Sequence, residues 1–231
     1  MRRALPLFIV VLAGLAGDEA ASERVAAQQR AASAGANSAD TGSCNASDMR
    51  LRACFTFDGD TKDRSSYGNH ANSARVRYVA GKSGQALHVG PDSRVLVAQH
   101  PSLDLTAMTI RFWIRPASFP TGDARMGIID GEATYRMYLH ENGVIRCSLT
   151  GRPEAFTNVG IPLGEWTRVA CTFDGTVMRI YINGDQAVEV KQAGKIAASI
   201  ASMAIGHDFP SGDNFVGEID QLEVWNAVVA P

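Results

Sequence analysis

Hydrophobic and polar residues alternate in short runs along the chain from about residue 51 onward. The clearest runs lie at residues 109–114, 135–139 and 177–182. An alternation with period two predicts β-strands that bury one face. Asn142-Gly143 and Asn183-Gly184 each separate two such runs, which predicts hairpin turns, and no long helical pattern is present. The pattern predicts one all-β domain, a two-sheet antiparallel β-sandwich or jelly roll.

The first 43 residues follow a different pattern. Two arginines precede the apolar stretch at residues 5–12, and small residues at positions 14 and 16 follow it. This arrangement predicts a secretory signal peptide over residues 1–16, the alternative being a short anchor that is never removed. Residues 17–43 are rich in Ala and Ser and lack aromatic residues, so we expect a flexible spacer ahead of a folded domain at 44–231.

Composition and charge exclude some functional classes. The 22 Lys and Arg residues nearly balance 24 Asp and Glu residues and are scattered, so nucleic acid is not an expected partner. No apolar run is long enough for a membrane-spanning helix, so we expect no membrane span in the mature chain. We expect the protein to be secreted, periplasmic or at the cell surface.

Four cysteines are expected to form two disulfides in an oxidising compartment. The sequence alone allows three pairings. Cys147 and Cys171 each lie in a strand-like run, and these runs are predicted to lie side by side in a sheet, so we favour that pair. Cys44 and Cys54 then remain to form the second bridge.

Several short blocks in one order resemble laminin G-like jelly-roll domains of the concanavalin A-like superfamily. The blocks are FTFDGD (55–60), DRSSYGNHA (63–71), GKSGQAL (81–87), MTIRFWIRP (108–116), GEWTRVACTFDG (164–175), IYING (180–184) and FVGEIDQLEVWN (215–226). The resemblance implies two curved antiparallel sheets, an extracellular location, and binding of glycans or proteins through rim loops or the concave face. It also implies that a calcium ion is often bound.

The same resemblance places the first and last strands near each other, which implies a structural Ca²⁺ site at Asp58 and Asp220. Asp60, Asn69 and the backbone of the intervening loop would complete its oxygen ligands. The alternative is that Asp58 and Asp60 form turns and that neighbouring amides satisfy Asp220.

A polar loop at residues 206–214 is the candidate ligand-binding site, with His207, Asp208, Asp213 and Asn214 as its contacts. A plain surface loop is the alternative interpretation. Trp113, Trp166 and Trp225 lie in strand patterns, so we expect them to pack in the core rather than to stack on sugars.

The segment Glu218-Ile219-Asp220-Gln221-Leu222-Glu223 also resembles the active strand of laminarinase and lichenase-type glycoside hydrolases. That resemblance implies Glu218 as nucleophile, Asp220 as its partner and Glu223 as acid/base. In a regular strand, however, Glu223 faces away from Glu218, so the three side chains converge only if a bulge shifts the phase.

The prediction from sequence is therefore a secreted, non-catalytic, lectin-like module that binds an extracellular glycan or a surface protein. A laminarinase-type hydrolase and a purely structural interaction domain are the alternatives.

Overall fold

The computed structural model describes residues 44–208 and 214–231. The predicted signal peptide and spacer, and Asp213, lie outside the described residues. Within this part of the chain, fifteen strands form two antiparallel sheets, which confirms the predicted β-sandwich. None of the helices in these residues is long and apolar enough to cross a membrane.

One sheet has eight strands and contains the first and last strands of the domain. Its strands are β1 (Leu51–Phe55), β3 (Arg77–Ala80), β4 (Gln85–Val89), β6 (Met108–Pro116), β11 (Thr167–Phe173), β12 (Val177–Ile182), β13 (Asp185–Lys191) and β15 (Gly217–Trp225). Their order is β13-β12-β11-β6-β15-β4-β3, and β1 pairs with β15 beside β4.

The other sheet has seven strands in the order β10-β9-β8-β7-β14-β5-β2. They are β2 (Ala71–Ala74), β5 (Arg94–Val97), β7 (Met126–Gly131), β8 (Tyr135–Leu139), β9 (Ile145–Leu149), β10 (Ala155–Phe156) and β14 (Met203–Ile205). Two short 3₁₀ helices, Pro101–Leu103 and Glu141–Gly143, connect strands.

The hydrophobic core lies between the two sheets because alternate residues of each strand face inward. On β6, for example, Ile110, Phe112 and Ile114 are buried in the core, while Arg111 and Arg115 are only partly covered. The period-two pattern of the sequence therefore corresponds to the inner and outer faces of the sandwich.

The two predicted hairpins are present. Asn142 and Gly143 connect β8 to β9, and Asn183 and Gly184 connect β12 to β13, all four with positive φ. Asn and Gly tolerate this left-handed backbone better than other residues, which is why these dipeptides mark the turns.

The structure confirms both preferred disulfides, Cys44–Cys54 and Cys147–Cys171. The reason given for the second pair was wrong. Cys147 lies on β9 of the seven-stranded sheet and Cys171 on β11 of the eight-stranded sheet, so the strands face each other across the core. Both side chains are fully buried, and the bridge joins the two layers of the sandwich.

The prediction for the tryptophans was wrong for two of the three. Trp113 and Trp166 are partly exposed, outside the core between the sheets. Trp113 lies under the Lys82 ammonium and Trp166 under the Arg115 guanidinium. Trp225 is buried, in a small cluster with Leu51 and Cys54.

Candidate functional site

The outer face of the seven-stranded sheet carries a cluster of arginines around one tyrosine. On β8, the side chains of Tyr135, Met137 and Leu139 point into the core, so Arg136 and Tyr138 point outward. On the neighbouring strand β9, Arg146 pairs with Tyr138 in the antiparallel register. The alternation along two adjacent strands thus brings Arg136, Tyr138 and Arg146 to one surface.

Two arginines contact the ring of Tyr138. The Arg125 guanidinium lies 4.7 Å from the ring centroid and that of Arg146 lies 5.1 Å from it. We name the set Arg125, Arg136, Arg146 and Tyr138 the arginine platform. Cation–π contacts of this kind hold guanidinium groups in defined positions.

A carboxylate partner positions each arginine of the platform. Arg125 Nε donates to Asp208 at 2.9 Å, and Arg136 Nε lies 3.1 Å from Asp130 Oδ1. Arg146 forms an ion pair with Glu154. Asp130 and Asp208 are almost completely buried, and buried carboxylates require such cationic or hydrogen-bonding partners.

Tyr138 itself is covered by this cluster and donates its hydroxyl to Asp208 Oδ1. Burial raises the pKa of its phenol, and the carboxylates of Asp130 and Asp208 raise it further. Tyr138 is therefore a neutral hydrogen-bond donor at physiological pH, and it cannot serve as a base.

An aromatic edge extends the platform along β10. The Arg146 guanidinium lies 5.6 Å from the ring centroid of Phe156, and the Phe156 ring contacts that of His140. Phe156 is one of few large hydrophobic side chains that the described residues leave exposed. Burial lowers the pKa of His140, and the charge of Arg146 lowers it further. The rings of His140 and Phe156 are therefore both uncharged at neutral pH.

A cavity of about 310 Å³ adjoins the platform, and Arg125 belongs to both. Its walls are mainly apolar. They are formed by Pro91, Phe119, Pro120, Thr121, Ala124, Arg125, Met126, Asn214 and Val216. The cavity is wide open to solvent, so it would cover only part of a small ligand.

Three of the four residues predicted to bind a ligand lie in the described part of the chain, and His207, Asp208 and Asn214 are all buried. The Asn214 amide donates to the carbonyls of Gly90, Pro91 and Ser93, and its oxygen contacts the His207 ring. These contacts hold loops beside the cavity. Asp208 supports Arg125 from below.

The four predicted calcium ligands separate into two groups. Asp58 and Asp220 both contact the turn at residues 81–84. Asp220 Oδ2 accepts the backbone amides of Lys82 and Ser83, and Asp58 Oδ1 accepts that of Gln85. A Cβ on Gly81 would lie 2.7 Å from Asp220 Oδ2, so glycine is required for this close approach.

Asp60 and Asn69 have other partners. Asp60 accepts the Lys62 amide and forms an ion pair with Arg64, as a turn-forming aspartate does. The Asn69 amide donates to the Arg52 carbonyl and to the Ser102 hydroxyl.

Asp220 is suited to a hard cation. Its side chain is fully buried, and Oδ1 has no hydrogen-bond partner within the described residues. Burial, with a smaller contribution from the Asp58 carboxylate, raises its pKa to about 6, and this value already includes the opposing effect of the backbone amides. No group of three or more His, Cys, Asp or Glu side chains is assembled for a metal in residues 44–208 and 214–231. Ca²⁺ would therefore need backbone oxygens or water as additional ligands.

The bulge needed for a hydrolase-like arrangement is present in β15. Asp220 pairs with Trp113 and Glu223 with Arg111, so β15 has one residue more than β6 between these pairs, and Gln221 has φ of 49°. Glu218 and Glu223 consequently face the same side of the sheet.

Their surroundings differ from those of catalytic carboxylates. Glu218 binds Arg115 and His88, each at 3.0 Å, and Glu223 binds Arg111 at 2.9 Å. Their partners on β6, Arg115 and Arg111, are four residues apart in the strand.

The comparisons with known proteins agree with the fold. A laminin G family model (Laminin_G_3), described as the concanavalin A-like lectin/glucanases superfamily, matches residues 89–231, more than half of the chain. No protein of curated function matches the sequence.

Solved structures with a similar fold include a domain solved with a sugar and the binding domains of protein toxins. Domain 4 of AbnA, an extracellular arabinanase from Geobacillus stearothermophilus solved with arabinotriose, has a TM-score of 0.63 at 19% identity over 76% of this chain and 92% of that chain. The binding domain of Paraclostridial Mosquitocidal Protein 1 has a TM-score of 0.67 at 16% identity over 78% of this chain and 49% of that chain. The binding domain of Botulinum Neurotoxin DC, solved with SialylT, has a TM-score of 0.59 at 17% identity over 78% and 48%, respectively.

The chain thus spans about half the length of these toxin domains, and at such low identities the likeness concerns the fold alone. The family match and the two-sheet architecture place this chain in the concanavalin A-like lectin/glucanase superfamily, as a laminin G-like domain.

Proposed function

We propose that this domain is a non-catalytic carbohydrate-binding module that acts outside the cell, and that the arginine platform and the adjoining cavity bind the sugar. The observation that carries the proposal is a set of three arginines on one face, Arg125 and Arg146 against the ring of Tyr138 and Arg136 beside Asp130, next to the exposed ring of Phe156. Fixed guanidinium groups donate to sugar oxygens, and an exposed aromatic ring packs against the apolar face of a sugar.

Pre-organisation supports this location. Arg125 and Arg136 are held by carboxylates that are themselves buried, so their positions are set before a ligand arrives. A site that is already ordered loses little conformational entropy on binding. The similar fold of the domain solved with arabinotriose agrees with the proposal. Two disulfides agree with an extracellular location.

Calcium has a structural part in this proposal. Asp58 and Asp220 would hold the ion at the turn of residues 81–84, where it would neutralise the buried carboxylate of Asp220. The Glu218, Asp220 and Glu223 strand is not assigned a catalytic role, because Glu218 is bound to Arg115 and Glu223 to Arg111.

A glycan array tests the proposal. We expect saturable binding of the full chain to a subset of sugars, and we expect Phe156→Ala to weaken it about twofold to tenfold by removing aromatic contact. Val228→Ala is the matched control because Val228 is 47% exposed, Phe156 is 42% exposed, and Val228 follows the last strand of the other sheet.

An array without signal for the wild-type chain would overturn carbohydrate binding. It would leave a surface-protein ligand or a structural role as the function. Equal losses of sugar affinity in Phe156→Ala and Val228→Ala would show that the sugar does not bind beside Phe156. Arrays with calcium and with EDTA separate a structural ion from one that contacts the sugar directly.

A further inference from the structure

We propose that the arginine platform binds a carboxylate, so that the ligand is an acidic sugar such as a sialate or a uronate. This inference rests on the proposed carbohydrate-binding function and names the class of ligand. It concerns the described residues Arg136 and Arg146 above all, with Phe156 beside them.

The first argument is the depth of the charges. The side chains of Asp130 and Asp208 are 1% and 3% exposed, whereas those of Arg136 and Arg125 are 32% and 39% exposed. At these two arginines the carboxylates therefore lie beneath the guanidinium groups, whereas Glu154 is more exposed than Arg146. A ligand that approaches Arg136 and Arg125 meets their cationic N–H donors before the carboxylates.

The second argument is the orientation of Arg136. Its Nε atom lies 3.1 Å from Asp130 Oδ1 in an ion pair that lacks the geometry of a hydrogen bond. The two terminal nitrogens form the other edge of the planar group, and no partner for them is present among residues 44–208 and 214–231. A guanidinium whose Nε lies beside a buried carboxylate leaves this terminal edge for a planar acceptor, and a carboxylate matches it with two parallel hydrogen bonds.

The third argument is spacing. Arg136 pairs with Ser148 and Tyr138 with Arg146, so Arg136 and Arg146 are diagonal neighbours across β8 and β9. The Cα atoms of such diagonal neighbours are about 7–8 Å apart. One acidic sugar can therefore reach both guanidinium groups while its ring lies toward Phe156, whose own ring contacts Arg146.

Neutral sugars would use this surface poorly. A hydroxyl accepts one hydrogen bond from a guanidinium, whereas a carboxylate accepts two parallel ones and adds the attraction between opposite charges. Removing a guanidinium edge from water costs free energy, and a carboxylate offsets this cost better than a hydroxyl does.

The experiment measures the affinity of the full chain for two matched pairs of probes by calorimetry. The pairs are 3′-sialyllactose with lactose, and tri-galacturonate with its carboxyl-reduced form. We expect at least one acidic probe to bind on the order of tenfold more tightly than its neutral partner, with the difference shrinking as NaCl is added. The two pairs distinguish a sialate from a uronate.

Arg136→Gln should abolish the preference for the acid. Arg179→Gln is the control, because Arg179 lies on the eight-stranded sheet and forms ion pairs with Asp174 and Glu189. If Arg136→Gln does not fold, as judged by its melting curve, Arg136→Lys keeps a charge beside Asp130 but loses the planar edge, and it should also lose the preference.

Equal affinity for acidic and neutral partners, with both lowered by Phe156→Ala, would overturn this inference and leave the proposed function intact. An acidic preference that survives Arg136→Lys would also overturn it. Binding of none of the four probes, together with an array lacking signal, would overturn the proposed function as well.

Discussion

Replacement of Asp220 by Asn tests the role of the buried carboxylate on β15. A carboxyl group whose pKa is higher in the folded than in the unfolded chain destabilises the fold when it ionises. For Asp220 the pKa is raised from 3.8 to about 6, so without calcium the free energy of unfolding falls as the pH rises through this window. About two pKa units correspond to about 3 kcal/mol above pH 6.

The Asp220→Asn variant lacks this ionisation. In EDTA at pH 7 we therefore expect it to be at least as stable as the wild type, up to about 3 kcal/mol more stable, less the cost of an unpaired amide. The difference should close as the pH falls to about 4. Calcium at about 100 times its dissociation constant should stabilise the wild type by about 2.7 kcal/mol.

Urea unfolding between pH 4 and 7, in EDTA and in calcium, measures these differences. For a domain of this size, the calcium effect corresponds to a rise of about 5–10 °C in melting temperature. Asp60→Asn is the control, because Asp60 forms an ion pair with Arg64 and should leave the calcium response unchanged. A wild type insensitive to calcium, or an Asp220→Asn variant that responds like the wild type, would refute the reasoning.

Three further predictions concern a buried aspartate, the disulfide between the sheets and the hydrolase alternative. Asp63→Ala should lower the free energy of unfolding in urea by about 3–5 kcal/mol, because the Asp63 carboxylate accepts four hydrogen bonds, two of them from buried amides. The control Asp60→Ala should lower it by less than about 1 kcal/mol. Equal losses of stability in the two variants would contradict this account. Replacing both Cys147 and Cys171 by Ala should lower the free energy of unfolding by about 3–4 kcal/mol, because a bridge across 24 residues restricts the unfolded chain. A loss below about 1 kcal/mol would contradict this entropic effect of the bridge. A reducing-sugar assay on β-glucan should show no release by the wild type, and activity that disappears in Glu218→Gln would establish the hydrolase alternative.

The sandwich and its turns followed from the sequence because they depend on local patterns. Alternation on β6 and β8 and the two Asn-Gly dipeptides determine strands and hairpins without knowledge of distant residues. The bulge at Gln221 has no such local signature, since Glu218–Glu223 is compatible with a regular strand, and the pairing with β6 decides the phase.

The candidate site was only partly accessible from the sequence. Arg136 and Tyr138 alternate with core residues on β8, and this signal was available to place them on one outer face. Arg125 was not, because it reaches Tyr138 from a segment before β7 and is held by Asp208, which is 83 residues away in the chain. A site assembled by tertiary packing leaves no fixed spacing in the sequence.

The Cys44–Cys54 bridge determines how the domain responds to mechanical load. A pull on the chain ahead of residue 44 passes through the covalent bond directly to Cys54 on β1. Residues 45–53 are therefore bypassed and cannot be peeled away one hydrogen bond at a time. The load falls on the end of β1, where Cys54 and Phe55 pair with Glu223 and Leu222 of β15. The neighbouring strand β6 also pairs with β15 along most of its length. Reduction of this one bridge would let unravelling begin ten residues earlier, at the edge of the domain.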